Sequence, residues 1–372
     1  MPPLRFPGFT EPWQCKRLGD CCSPLEYGMN SAATSYDGTN KYIRITDIDE
    51  ETSQYKTDDL VSPSGILDDK YLVKDHDILF ARTGASTGKT YHYDPKNGRM
   101  YFAGFLIRAN VNKQYNSRFV FYQTQLKRYW RWVQVMSTRS GQPGINSQEY
   151  EAFKLFLPSN DEQNKITDFI SLLDRRIAIQ SRVIEDLRQL KSALYQQVFS
   201  SLGGKFVDLK SVADIVKGKQ INGTELSDSG AYYVMNGGIV PSGYYEDYNT
   251  EAHTISISEG GNSCGYVQYN EEPFWSGGHC YTLKLKGEIV LRYIFHYLKY
   301  REQDIMALRI GSGLPNIQKK DLERFQILLP NLEEQQKLAT IFDSFWRREA
   351  IELSLLNDYQ GQKQYLLQQM FI

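Results

Sequence analysis

From Ile166 onward the apolar residues Ile166, Ile170, Leu173, Ile177, Ile184, Leu187, Leu194 and Val198 recur at alternating spacings of four and three, with Gln180 and Lys191 in the two polar places of the ladder. That period predicts one long helix with an apolar stripe along one side. Ser159-Asn160-Asp161-Glu162 places a serine three residues ahead of a glutamate, the pattern of a capping box at a helix start. Leu202-Gly203-Gly204 supplies residues that leave a helix through the left-handed region. A second, rougher stripe runs through Leu338, Phe342, Phe345, Leu356, Tyr359, Leu366 and Met370, interrupted by Glu349, Glu352 and Lys363.

The two stripes are copies. Ser140 to Phe199 aligns without a gap onto Ser312 to Phe371 at a constant spacing of 172 (312 − 140), and about a third of the paired positions are identical. Ser140/Ser312, Gly141/Gly313, Pro143/Pro315, Ile145/Ile317, Glu162/Glu334, Gln163/Gln335 and Arg175-Arg176/Arg347-Arg348 are among them. The period is too long for a solenoid and indicates a duplicated domain followed by a duplicated helix. Neither helix hides its stripe alone, so the simplest solution packs the two together, and the connecting chain makes the second run antiparallel to the first. Roughly 40 residues at 1.5 Å each give a spacer on the order of 60 Å. The expected class is α+β: two mixed α/β domains separated by two long antiparallel helices forming a coiled coil, with a pseudo-two-fold internal repeat. The expected boundaries are 1–158 and 203–330 for the domains and 159–202 and 331–372 for the helices.

Within the domains, runs such as Tyr42-Ile43-Arg44-Ile45, Asp77-Ile78-Leu79-Phe80, Tyr232-Tyr233-Val234-Met235 and Thr254-Ile255-Ser256-Ile257-Ser258 read as strands between Gly, Asn and Asp turns. Arg118 to Val135 and Ile289 to Leu308 read as helices. With 372 residues, 41% of them hydrophobic, the chain is long enough for two cores. It has no apolar run of membrane-spanning length and no secretory h-region at its start, so a cytoplasmic protein without a membrane partner is expected. Five scattered cysteines form no Cys-x-x-Cys pair and read as reduced thiols.

The net charge of −1 conceals a segregation. No Asp or Glu occurs from Pro95 to Gln148, a stretch that holds nine Lys and Arg residues interleaved with aromatics. Such a local positive face suits phosphate neutralisation. The second half is weaker but of the same sign. Arg82-Thr83-Gly84-Ala85-Ser86-Thr87-Gly88-Lys89 has one residue too few between its first Gly and the Gly-Lys pair for a phosphate-cradling loop. It and Ser258-Glu259-Gly260-Gly261-Asn262-Ser263-Cys264-Gly265, at the comparable place, read as small-residue loops able to approach DNA. The histidines show no metal or triad spacing, and no Asn/Asp-Pro-Pro-aromatic methyltransferase motif is present.

Two dissimilar globular segments, each followed by a matching helix that opens Leu-Pro-x-x-x-Glu-Gln-x-Lys, resemble the specificity subunit of type I restriction-modification systems. Leu4 to Phe9, Trp13 to Asp20, Tyr42 to Ile48, Asp77 to Lys89 and the two Ser-Gly-x-Pro-x-Ile turns carry the resemblance over essentially the whole chain. It implies two target-recognition domains, each reading half of a split double-stranded DNA sequence. It also implies two methyltransferase subunits that methylate adenine N6 with S-adenosylmethionine, and motor-nuclease subunits that use ATP and Mg. No cofactor is expected in this chain, which would be non-catalytic. Candidate DNA contacts are Arg82, Ser86, Thr87, Lys89, Lys127, Arg131, Arg139, Ser140 and Gln142 in the first domain. In the second they are Lys217, Lys219, Asn236, Ser258, Asn262, Ser263, Ser312, Lys319 and Lys320. Ile179, Leu190, Ile341, Trp346 and Leu353, off the main seam, are expected to dock the methyltransferase subunits. A stand-alone two-site DNA-binding regulator, or a structural connector without DNA affinity, are the alternative readings.

Overall fold

The computed structural model describes residues 1–138, 143–311, 313 and 315–372. The chain divides into two compact units, Met1–Ile179 with Leu356–Ile372, and Gln180–Leu355.

In the first unit, strand Gln14–Arg17 pairs antiparallel with Lys154–Leu157. A four-stranded antiparallel sheet follows the order Glu26–Tyr27, Leu106–Asn110, Asp77–Ala81, Thr90–His92. Its two faces obey the two-residue strand period. Ile78, Phe80, Ile107 and Ala109 pack with Phe119, Val120 and Tyr122 of a covering helix. Leu79, Ala81 and Leu106 turn the other way, onto Ile43 and Phe102 from a parallel strand pair, Lys41–Ile43 with Met100–Phe102.

The second unit repeats this plan with different residues. Strand Lys205–Asp208 pairs with Gln326–Leu329, and the four-stranded sheet runs Ala213–Lys217, Cys280–Leu285, Thr254–Ser258, Val267–Asn270. Val234 and Met235 pair parallel with Trp275 and Ser276. The buried Ile255, Ile257, Tyr281 and Leu283 pack against Ile294, Phe295 and Leu298.

The structure breaks each of the two domain helices expected from the sequence. The first becomes Ser117–Gln123 and Lys127–Ser137, and the second Leu291–Tyr300 and Glu302–Ala307. At the first break the buried Thr124 hydroxyl is held by the Phe121 carbonyl and by Thr90, both 2.7 Å away. A side chain tied back to the backbone in this way competes with helix continuation.

The two long helices are Asn160–Ser201 and Leu332–Met370. Ile166, Ile170, Ile177 and Ile184 of the first stripe are buried, as are Leu338, Phe342 and Met370 of the second. The polar interruptions pair with one another. In the first unit Lys363 Nζ lies 2.7 Å from Asp174 Oδ1, and Arg176 donates to the Tyr359 hydroxyl at 2.9 Å. In the second, Arg188 and Lys191 share Glu349, and Gln180 donates to the carboxylate and the carbonyl of Glu352. Partner numbers fall as residue numbers rise, which makes the pair antiparallel. Gln180 and Glu352 are also repeat equivalents (352 − 180 = 172), so this layer is made of one position used twice.

The identical glutamines show what the repeat preserves. Gln163 donates to the Pro158 carbonyl and accepts from the Asn116 amide, at 3.0 and 3.1 Å. Gln335 donates to Pro330 and accepts from the Val290 amide, at 2.9 and 3.0 Å. Each locks the start of a long helix to a helix of its own domain. The paired glutamates diverge: Glu162 is buried and grips Arg5 through two 2.7 Å hydrogen bonds, whereas Glu334 is exposed.

Candidate nucleic-acid interface

Each sheet ends in the same loop. After strand Asp77–Ala81 the chain turns at Gly84, with φ of +67°, and re-enters at Gly88, with φ of +91°. After Thr254–Ser258 it turns at Gly261 and Gly265, with φ of +78° and +93°. Backbone bonds match one for one. Thr87 and Cys264 donate to Gly84 and Gly261, each at 3.1 Å, while Lys89 and Tyr266 donate to Ser86 and Ser263. Each loop is laid against the repeated Pro-x-Ile segment. Gly84 and Gly261 donate to Pro143 and Pro315, and Ile145 and Ile317 donate back to Arg82 and Glu259. The Pro and Ile identities between the copies therefore serve to fasten this loop.

The sequence candidates separate into groups. Thr87 and Ser258 are buried, and their hydroxyls are used internally: Thr87 Oγ1 donates to the Gly84 carbonyl of its own loop and Ser258 Oγ to the Gly237 carbonyl of a separate segment, both at 2.7 Å. Lys89 is mostly covered and paired with Glu50. Ser86 and Ser263 are half-buried within the turns. Lys127, Arg131, Lys219, Asn262 and Lys320 are exposed, and Lys319 is exposed beside Glu323. Asn236 accepts the His279 amide through Oδ1. Arg139, Ser140, Gln142 and Ser312 lie outside the described residues.

Part of the cation excess is structural. Arg108 is buried between Glu26 and Asp77 and lies over the Phe102 ring. Arg128 packs on Phe153 and Phe156, and burial draws its pKa down to about 10. In the second unit Arg292 pairs with Asp343, Lys299 with Glu302, Arg301 with Asp304 and Lys286 with Asp214. The positive face is narrower than composition implies. Of the aromatics among those cations, Tyr101, Phe102, Phe119 and Tyr129 are core residues, because a buried ring contributes packing that an exposed one does not.

Of the expected docking residues, Ile179, Leu190 and Ile341 are exposed, at 63%, 51% and 40%. Trp346 instead packs edge-on to Phe295, with Lys191 over its ring, and Leu353 is half-buried. Trp346 thus belongs to the core edge of its unit. No group of three or more His, Cys, Asp or Glu residues with metal-binding geometry occurs among the described residues, and their helices include none long and apolar enough to cross a membrane.

Tyr27, Phe105 and His279 are not among the sequence candidates. They are exposed side chains that flank the loops, and nothing in their local sequence marks them.

A duplicated domain with a long helix after each copy, and the same loop presented by each, defines a class of repeated recognition proteins. A family model described as the type I restriction modification DNA specificity domain matches residues 10–189 and again 203–358, and the chain belongs to that family. Two Mycoplasma chains assigned by name to the type I specificity subunits are 31% identical over 173 residues (M. genitalium) and 34% over 141 residues (M. pneumoniae); the chain spans 45% and 37% of their lengths. The MjaVIII specificity subunit of Methanocaldococcus jannaschii is 24% identical over 90% of this chain and 86% of its own. A crystal structure of the S subunit from M. genitalium superimposes with a TM-score of 0.72 at 18% identity, covering 100% of this chain and 99% of that one.

Proposed function

We propose that this chain is the address subunit of a type I restriction-modification complex. Each unit reads one half of a split duplex target, and the long helices set the gap and carry two methyltransferase subunits, with motor-nuclease subunits recruited to that assembly. The chain itself performs no chemistry. Methyl transfer from S-adenosylmethionine to adenine N6, and ATP hydrolysis with Mg, belong to the partners. The observation that carries this reading is the duplicated loop: the same backbone turn, fastened by the same Pro-x-Ile segment, presents different side chains in each unit. One scaffold with two sets of exposed groups is what reading two different half-sites requires, since phosphate contacts position and base-edge contacts specify.

Co-expression with the neighbouring methyltransferase subunit in a methylation-free host, followed by genome-wide mapping of N6-methyladenine, tests this. A split motif with a constant gap is expected. A stable complex that adds no methylation would overturn the reading.

A further inference from the structure

Arg82, the first residue after its strand, sits in one unit where Glu259 sits in the other. The equivalence is set by hydrogen bonds. Arg82 and Glu259 donate their amides to Phe105 and His279, at 3.0 and 2.9 Å, and both accept from an isoleucine amide of the repeated segment. One strand over, Tyr27 opposes Ile107 and Lys217 opposes Tyr281, each just ahead of a glycine, Gly28 or Gly218, that donates to Leu106 or Cys280. Positions 27, 82 and 105 therefore correspond to 217, 259 and 279.

The side chains at these positions touch in both units, with the chemistry exchanged. The Arg82 guanidinium lies 5.0 Å from the Tyr27 ring centroid and 6.0 Å from that of Phe105, and its Nε donates to the Gly104 carbonyl. Among the described residues its two terminal nitrogens have no hydrogen-bond partner. A cleft of about 760 Å³ opens beside it, bordered by Asn30, Arg44 and Thr46. In the other unit Glu259 is the buried centre, with Oε1 2.7 Å from Lys217 Nζ and Oε2 3.8 Å from His279 Nδ1. Lys217 and His279 are the exposed flanks, at 53% and 62%.

We propose that these two triads are the base-reading centres of the two units: Arg82, tied through Nε to Gly104 and set beside the Tyr27 and Phe105 rings, addresses a guanine in one half-site, and Lys217, held by Glu259, addresses a guanine in the other. This rests on the bipartite reading above. An arginine or lysine placed against guanine O6 and N7 is the commonest specific contact in the major groove. A guanidinium tied through Nε beside aromatic rings, or an ammonium anchored on a buried carboxylate, has lost freedom that would blur such a contact. Glu259 is a positioning residue, and Tyr27 and Phe105 serve the same end.

The test is the methylome of the co-expressed complex carrying R82Q or K217Q. R82Q is expected to relax one guanine of one half-site by at least about five-fold, leaving the other half-site and the gap intact, and K217Q to do the converse. The unaffected half-site reports that the variant is folded and assembled. Should R82Q abolish methylation, R82K decides. A recovered motif supports the assignment, and continued loss overturns it. Variant motifs identical to the wild-type motif, or weakened evenly at every position, overturn the triads while leaving the function standing. Absence of any wild-type motif overturns both.

Discussion

Gly28 and Gly218 hold their strands so close to a neighbouring turn that a Cβ at either would lie 2.1 Å from a backbone carbonyl oxygen, that of Ala103 or Gly277. A backbone atom cannot swing aside as a side chain can, so G28A and G218A are each expected to cost about 1–3 kcal/mol. G223A, with nothing within 4 Å, is the control. Thermal unfolding of the three variants checks this. At the same scale, burial pulls His92 and His296 from 6.5 down to about 4, although Asp343, 2.7 Å from His296, opposes the shift there. Both rings are neutral in the fold at pH 7, and the unfolded chain takes up the protons first as pH falls. Their contribution, up to about 3 kcal/mol each, is complete above about 6.5 and is lost on descending towards 4. The thermal midpoint should fall across that window, and less steeply in H296Q. These residues carry no sequence signal, because burial decides a pKa and one histidine reads like another.

Among the elements, the long helices were the most legible part of the chain. A stripe with a period of three and four has one physical solution, burial against a partner, and Ile166, Ile170, Ile177 and Ile184 of that stripe are buried while Leu173, Leu187, Leu194 and Val198 are half-buried. What the pattern left open was the role of its polar interruptions. Gln180 with Glu352, Lys191 with Glu349 and Asp174 with Lys363 answer each other across the pair. Polar groups inside a helical seam select register at a cost in stability. The double variant Q180L/E352L is therefore expected to raise the unfolding midpoint by an amount equivalent to about 1–4 kcal/mol while allowing alternative helix registers. Calorimetry and cysteine cross-linking along the seam measure the two effects. The domain helices were less legible, because their breaks depend on contacts such as that of Thr124 with Thr90, distant in sequence.

At the scale of the whole molecule, phosphate contacts and base contacts separate in a measurable way. Exposed Lys127 and Arg131 are expected to neutralise phosphates, so K127A/R131A should lower the salt slope of duplex binding by about 2 without changing the recognised motif. A changed motif in that variant would place these residues on bases instead. The duplication, the α+β class and the two long helices were determined by the sequence itself. Repeated identities and apolar periodicity are local records of burial, and they survive translation into one dimension. Which charges are free, and which three residues meet at the head of each sheet, only the tertiary structure decided. Tyr27, Arg82 and Phe105 come from three separate strand ends, and their counterparts carry other side chains. The hydrogen bonds that make them equivalent belong to the backbone, which every residue shares and no side-chain pattern records.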